Sequence, residues 1–293
     1  MSDFYKALKR DGASVSTLYA LEQLQNALPR YASEPKLGMG YGQENKYVSW
    51  NFDPREHSSI ELLHITDVQF GHTECRVHRV IEYRDWVLAA PNRFMLWGGD
   101  MIDAATILSP GSPWENICGP DSQVFKFCEV MAPARHRVLG YIGGNHERRS
   151  LKTFGDAGRL IATLMRVPYS SGQQLLDIHY GKHDPFKVHL WHGTGGARTK
   201  GAKAQMIERF MHTGDAQLYL VGHLHDCILL PSIRIIRRPG KRTVHMEKIF
   251  GGMSSSFLSY WATYAEVAGL MPNDILMIRA TLEPNGHWEA SIR

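Results

Sequence analysis

Five times within about 160 residues, a short apolar run stops on a side chain able to bind a metal ion, and this repetition constrains the fold more than any other feature. The runs are Glu61–Thr66 ending on Asp67, Arg93–Gly99 on Asp100, Val138–Gly144 on Asn145-His146, Lys187–Trp191 on His192, and Gln217–Gly222 on His223. Runs of this length and content read as buried strands. In sheets flanked by helices, sites gather in the crevice beyond the carboxyl ends of the strands, where loops hold polar side chains over a rigid floor. The glycines at 98, 99, 143, 144 and 222 let the backbone turn sharply beside an ion. Asp, Asn and His make a mixed oxygen and nitrogen ligand set suited to manganese, iron or zinc. With no thiolate among them, the set does not describe a closed structural zinc site.

The segments between these runs supply the rest of a layered α/β domain. Val77 to Ala90 has the length of a helix joining the first strand to the second, so a right-handed strand, helix, strand crossover is expected. Apolar residues between Arg148 and Arg166 predict a further helix. Past Asp226 the pattern changes to hairpins: Ile228–Arg237 with Thr243–Phe250, and Ile275–Leu282 with His287–Ile292. The domain is therefore expected over residues 61–293, with 227–293 completing a second sheet. Residues 1–60 read as an extension, in which Val15, Leu18, Leu21, Leu24 and Leu28 mark an amphipathic helix. Tyr31 to Ser59, rich in glycine, proline and polar residues, reads as an irregular connection.

Composition narrows the setting. In 293 residues that are 43% hydrophobic there is material for a substantial core, and a net charge of +4 permits a phosphate-bearing substrate without requiring nucleic acid. Cys75, Cys118, Cys128 and Cys227 form no Cys-x-x-Cys pair, so a disulfide framework is not expected. With neither a signal-peptide core nor a run of roughly 18 apolar residues, the expected setting is cytoplasmic, with no membrane partner.

The ordered set Asp67-x-Gln69, Gly99-Asp100, Gly144-Asn145-His146-Glu147, His192 and Gly222-His223-Leu224-His225 resembles the calcineurin-like metallophosphoesterases over roughly residues 61–226. The resemblance implies a two-sheet β-sandwich flanked by helices, with two divalent metal ions at one edge. It would place Asp67, Gln69 and His225 on the first ion, Asn145, His192 and His223 on the second, and Asp100 between them. It also implies that a hydroxide shared by both ions attacks phosphorus, and that His146, a non-ligand, orients phosphate or protonates the leaving oxygen. The family's first motif usually reads Asp-x-His. Gln69 in its place resembles the branch of manganese-dependent ADP-ribose and CDP-alcohol pyrophosphatases, and an amide oxygen weakens the preference for zinc and favours manganese or magnesium, with iron and zinc as the other candidates. His72 is the alternative ligand.

The segments Asp67–Gly71, Gly98–Asp103 and Gly144–Glu147 also resemble DNA-repair exonuclease-like phosphoesterases of bacteria and phages. The expected activity is thus phosphodiester hydrolysis on DNA or RNA. A nucleotide pyrophosphatase or phosphatase is the alternative, and a catalytically inactive scaffold subunit is a third reading of a different class. Arg148 and Arg198 are candidate phosphate contacts, together with Arg149, Lys200 and the glycine-rich loop 192–201, although a solvated face accounts for these cations equally well. Asp103 reads as an ordinary capping residue outside the site. Trp97, Trp191 and Trp261 read as core, and the basic run Arg234, Arg237, Arg238, Lys241 and Arg242 as a charged hairpin tip.

Overall fold

A computed structural model describes residues 44–293 apart from 108, 110, 111, 154, 238–242, 262, 268 and 270. The amphipathic segment 15–28 and the basic residues Arg238, Lys241 and Arg242 lie outside the described residues. Two mixed six-stranded sheets pack face to face with helices outside, giving a two-sheet α/β sandwich. The first sheet is built on β2 (Ile60–Ile65), β3 (Arg93–Trp97), β4 (Val138–Ile142) and β5 (Tyr169–Ser170), all parallel. The second contains β1 (Tyr47–Phe52), β6 (Gln173–Tyr180), β7 (Phe186–Trp191), β8 (Leu218–Val221), β9 (Ile228–Arg237) and β10 (Val244–Met253), in the order β1-β6-β7-β8-β10-β9.

Strand alternation explains the layers, because successive side chains point to opposite faces. Ile60 and Leu62 of β2, with Leu96 of β3, face the second sheet and meet Leu176, Ile178, Val188 and Leu220 there. Leu63, Ile65, Met95 and Trp97 face outward onto α1 (Val77–Leu88), α2 (Pro120–Met131) and α4 (Ala157–Met165), through Val80, Val87, Phe127 and Ile161; α3 is the short helix Asn145–Arg149. On the far face, α5 (Lys200–Met211) lays Ile207 and Phe210 on Tyr219, Val221 and Ile249. A strand buried on both faces is mostly apolar, which is why β3, β4 and β8 stand out as apolar runs and β2 is broken only by Glu61 and His64.

Three expectations need correction. Residues 47–52 are a strand, because Val48, Trp50 and Phe52 alternate onto the inter-sheet core while β1 pairs in parallel with β6. The carboxyl-terminal hairpins divide between the sheets: β9 and β10 extend the second, whereas β11 (Ile278–Leu282) and β12 (Trp288–Ile292) extend the first through the antiparallel β11–β2 pairing. Trp97 is fully buried and Trp191 packs on Phe210, but Trp261 is 66% exposed. The four cysteines are free. Burial pushes the Cys75 thiol up to about 12 and that of Cys227 to about 11, so both are poor thiolates.

Candidate metal centre

The carboxyl ends of β2, β3, β4, β7 and β8 meet at one edge of the sandwich, where hydrogen bonds within each sheet and, from His223 to Asp67, between the sheets join them. His223 N donates to Asp67 Oδ2 at 2.8 Å, Gly222 N to His192 O at 3.1 Å, and Asp67 N to Gly99 O at 3.0 Å. Close approach requires residues without a Cβ at two points. A Cβ on Gly144 would collide with Asp100 Oδ1, and one on Gly222 with Asp67 Oδ2.

All seven proposed ligands and His146 form one unbroken ring of contacts. From Asp67 Oδ1 it runs 3.3 Å to His225 Nε2, 3.1 Å to Gln69 Nε2, 3.3 Å to His146 Nε2 and 3.6 Å to Asp100 Oδ2. It continues 3.0 Å to His192 Nε2, 3.1 Å to Asn145 Oδ1 and 2.7 Å to His223 Nδ1. The backbone bond from His223 to Asp67 closes it. Asp67, Gln69, Asp100, His146 and His192 are buried, so the ring lies at the floor of the edge.

Backbone strain concentrates on these residues. Of the seven non-glycine residues with positive φ among those described, five belong to the ring: Asp67 (51°), Gln69 (48°), Asp100 (54°), His223 (71°) and His225 (49°). Each such residue costs about 1–3 kcal/mol and persists only where its surroundings over-determine it. Hydrogen bonds supply that determination: Gln69 N donates to Asp100 O at 2.9 Å and His146 N to Asp100 Oδ1 at 2.8 Å.

Histidine tautomers follow from their outer partners. His192 Nδ1 lies 2.8 Å from Gly98 O, and His223 Nε2 lies 2.9 Å from Gly195 O. A carbonyl only accepts, so each of those nitrogens carries the proton. The lone pairs of His192 Nε2 and His223 Nδ1 then point inward with Asn145 Oδ1 and Asp100 Oδ2, and Asp100, His192 and His223 offer ligand atoms within 4.8 Å of one another. Four inward-facing acceptors repel one another unless a proton or a cation sits among them. Burial disfavours a charged His192, but Asp100 and then Asp67 outweigh it and push its pKa up to about 10. Asp67 Oδ1 is buried and has no well-aligned hydrogen bond. A buried carboxylate oxygen that meets the His225 imidazole at 3.3 Å, with the Gln69 amide on that same imidazole, fits a second cation position. The Gln69 amide has its nitrogen between His225 and His146; rotating it by 180° puts the oxygen there, as a cation would require.

His146 stands differently. Its Nδ1 faces two acceptors, Asp103 O at 2.6 Å and Asp103 Oδ1 at 3.1 Å, against one donor, Arg149 Nη1 at 3.0 Å; the acceptors favour the proton on Nδ1, and Nε2 faces the ring. Burial opposes a charged ring here too, yet Asp100 and then Asp103 raise its pKa above the ordinary histidine value. Asp103, placed outside the site by the sequence reading, is therefore its supporting residue. Asp103 Oδ2 in turn accepts from Asn116 Nδ2 at 2.8 Å.

Sequence reasoning also missed Glu147. Its buried carboxylate accepts from Asp100 N, Met101 N and Gly144 N at 2.9, 2.7 and 2.9 Å, and from the Tyr141 hydroxyl at 3.0 Å. It thereby locks the Asp100 turn against β4. The signal for it was its place three residues after Gly144, where a carboxylate can reach back to a helix start.

The phosphate candidates are not drawn into the ring. Arg148 is exposed and donates to Ser171 O, and Arg198 lies on the exposed loop whose Gly195 carbonyl holds His223. Arg149 lies on the outer side of His146, with Nη1 3.0 Å from the Nδ1 that also faces Asp103. His72, the alternative to Gln69, is not in the ring: its Nδ1 accepts from Glu74 N and its Nε2 lies 3.9 Å from Glu115 Oε2.

No family model matches this sequence, and no curated protein is found similar to it. Among solved structures, the chain is similar to the NAD nucleotidase NadN of Haemophilus influenzae, with 11% identity and a TM-score of 0.38 over 80% of this chain and 49% of that one. The chain thus spans about half the length of that structure. Among the described residues no helix is long and apolar enough to cross a membrane.

Proposed function

We propose that this chain is a metal-dependent phosphodiesterase acting on nucleic acid, with two divalent ions, manganese foremost, held in the ring. The observation that carries this reading is the set of inward-facing lone pairs on His192, His223, Asn145 and Asp100, beside the buried Oδ1 of Asp67. Asp67, Gln69 and His225 would hold one ion and Asn145, His192 and His223 the other, with Asp100 shared. When bound, such ions activate water and polarise phosphoryl oxygens.

The protein's own groups do the rest. Glu147 fixes the Asp100 backbone, so the shared carboxylate needs no reorganisation during reaction. Asp103 holds the His146 Nδ1 proton, which leaves Nε2 to orient phosphate or, when protonated, to deliver a proton to the leaving oxygen. Arg149 adds positive charge on the outer side of His146.

Nucleic acid is favoured by exposed aromatics on loops at the same edge. Trp114 is 92% exposed, two residues from the Asn116 that bonds Asp103; Trp261 is 66% exposed beside Tyr260, which lines a cavity with His225. Exposed aromatic faces supply stacking for unpaired bases, worth about 1–3 kcal/mol each. Gln69 supports a second reading, a nucleotide pyrophosphatase of the ADP-ribose or CDP-alcohol type. A manganese-supplemented panel of bis-para-nitrophenyl phosphate, its monoester, ADP-ribose, cyclic nucleotides, and single- and double-stranded DNA and RNA separates them. Cleavage of diester and polymer supports the nuclease; selective ADP-ribose turnover supports the second reading; hydrolysis of none of them overturns both.

A further inference from the structure

His225 carries positive φ in a loop between β8 and β9, a conformation that lasts only while neighbours enforce it. Its neighbour Asp226 is buried and joins three segments of the chain. Asp226 Oδ2 accepts from Lys203 Nζ of α5 at 3.0 Å, and Oδ1 accepts from Asn273 Nδ2 at 3.0 Å and from Cys227 N at 2.8 Å. Lys200 Nζ lies 3.3 Å from Oδ1. Asn273 Nδ2 also reaches the backbone carbonyl of His225 itself, at 3.1 Å.

Lys203 stands out because its side chain is only 8% exposed, and a lysine is almost never buried without a partner. Removing Asp226 would leave the Lys203 charge buried and uncompensated, and removing Lys203 would leave Asp226 with Lys200, an exposed cation, as its charged partner. His223, two residues earlier, has different supports, the Asp67 carboxylate and Gly195 O. Asp67 touches both histidines of this loop, but Asp226 and Asn273 stand behind His225 and Gly195 O behind His223.

We infer that Lys203, acting through Asp226, and Asn273 are positioning residues for His225, and that they set the affinity of the ion held by Asp67, Gln69 and His225 while leaving the other ion unaffected. Asn273 holds the carbonyl of the strained residue, and Lys203 holds the aspartate that follows it. Without them the loop relaxes toward ordinary φ, and the imidazole leaves Asp67 Oδ1.

This inference rests on the two-ion reading. The test is calorimetric titration of manganese alone into the metal-free wild type, Lys203→Met, Lys203→Arg and Asn273→Ala, with thermal melting of each. Anomalous peak heights at limiting manganese assign each affinity to its position. Support from outside the ligand shell typically matters by about 10–100-fold in affinity. Lys203→Met and Asn273→Ala should each weaken the His225 ion by about that factor and leave the His223 ion within error, and Lys203→Arg should restore most of the loss. Asn273→Ala keeps the ion pair, so it tests the inference even if Lys203→Met does not fold. Equal weakening of both ions, or no change at either, overturns the inference; fewer than two ions in the wild type overturns the two-ion reading with it.

Discussion

The two halves of the ring are built differently. On one side His192 and His223 each tie their outer N–H to a backbone carbonyl, Gly98 O and Gly195 O, and aim the inner nitrogen at Asn145 and Asp100. On the other side Asp67, Gln69 and His225 all sit in left-handed turns, as only His223 does among His192, His223 and Asn145, and the donor set is one carboxylate, one amide and one imidazole. Rigid carbonyl anchors pre-form the first arrangement. The second depends on strained turns and on the packing that enforces them. The imidazole-rich half suits borderline cations, and the oxygen-bearing half suits harder ones such as manganese or magnesium.

Asp100 belongs to both halves, so its loss should erase the distinction. Asp100→Asn should lower turnover by more than the roughly 10²–10³-fold typical of losing one electrostatic stabiliser, and should weaken both ions in a manganese titration. Selective weakening of one ion would remove Asp100 from its shared role.

His146 lies where the halves join, and it should matter to chemistry without mattering to binding. For His146→Ala the expectation is a loss of about 10²–10⁴-fold on substrates with a sugar leaving group, a smaller loss with para-nitrophenolate, and full metal content. Equal losses on both substrates would remove the acid role, and lost metal would make the residue structural.

Gln69→His gives each half the imidazole content of the other. Activity with manganese should change least among these variants, within about 10-fold, while the preference among metals shifts toward zinc. The ratio of zinc to manganese activity in the two proteins measures this, and an unchanged ratio would separate residue 69 from the ion.

His64 offers a pH test of the floor beneath the anchored half. It packs under Gly98, whose carbonyl holds His192, and burial pushes its pKa down to about 3. A histidine depressed in the folded state contributes stability fully present above the unfolded value near 6.5 and lost as pH falls from there toward 3. His64→Gln should therefore lessen the acid sensitivity of the fold, read as a lower midpoint pH of acid unfolding; an unchanged midpoint would assign acid unfolding to other groups.

Much of the site was legible because strands buried on both faces are written as apolar runs, and their ends mark the ring directly. The strands β1 and β6 escaped notice for the opposite reason. Gln173–Tyr180 alternates exposed and buried positions, so it shows no run. The hairpins after Asp226 were legible as pairs, but not their destinations, because alternation says which residues face inward and not which sheet edge is open. Asp103 and Glu147 were not read as parts of the site, since their roles come from reach across the fold, and nothing in the sequence set Arg149 apart from its neighbouring cations. Arg148 follows the same logic in reverse: its position in the chain is next to the centre, yet its guanidinium turns to Ser171.

The most direct test of the two-half account is anomalous scattering at the manganese edge from crystals of the wild-type protein soaked in manganese. The account predicts two peaks, one beside Asp67, Gln69 and His225 and one beside Asn145, His192 and His223, with Asp100 touching both. A single peak, or manganese bound away from these residues, would contradict it.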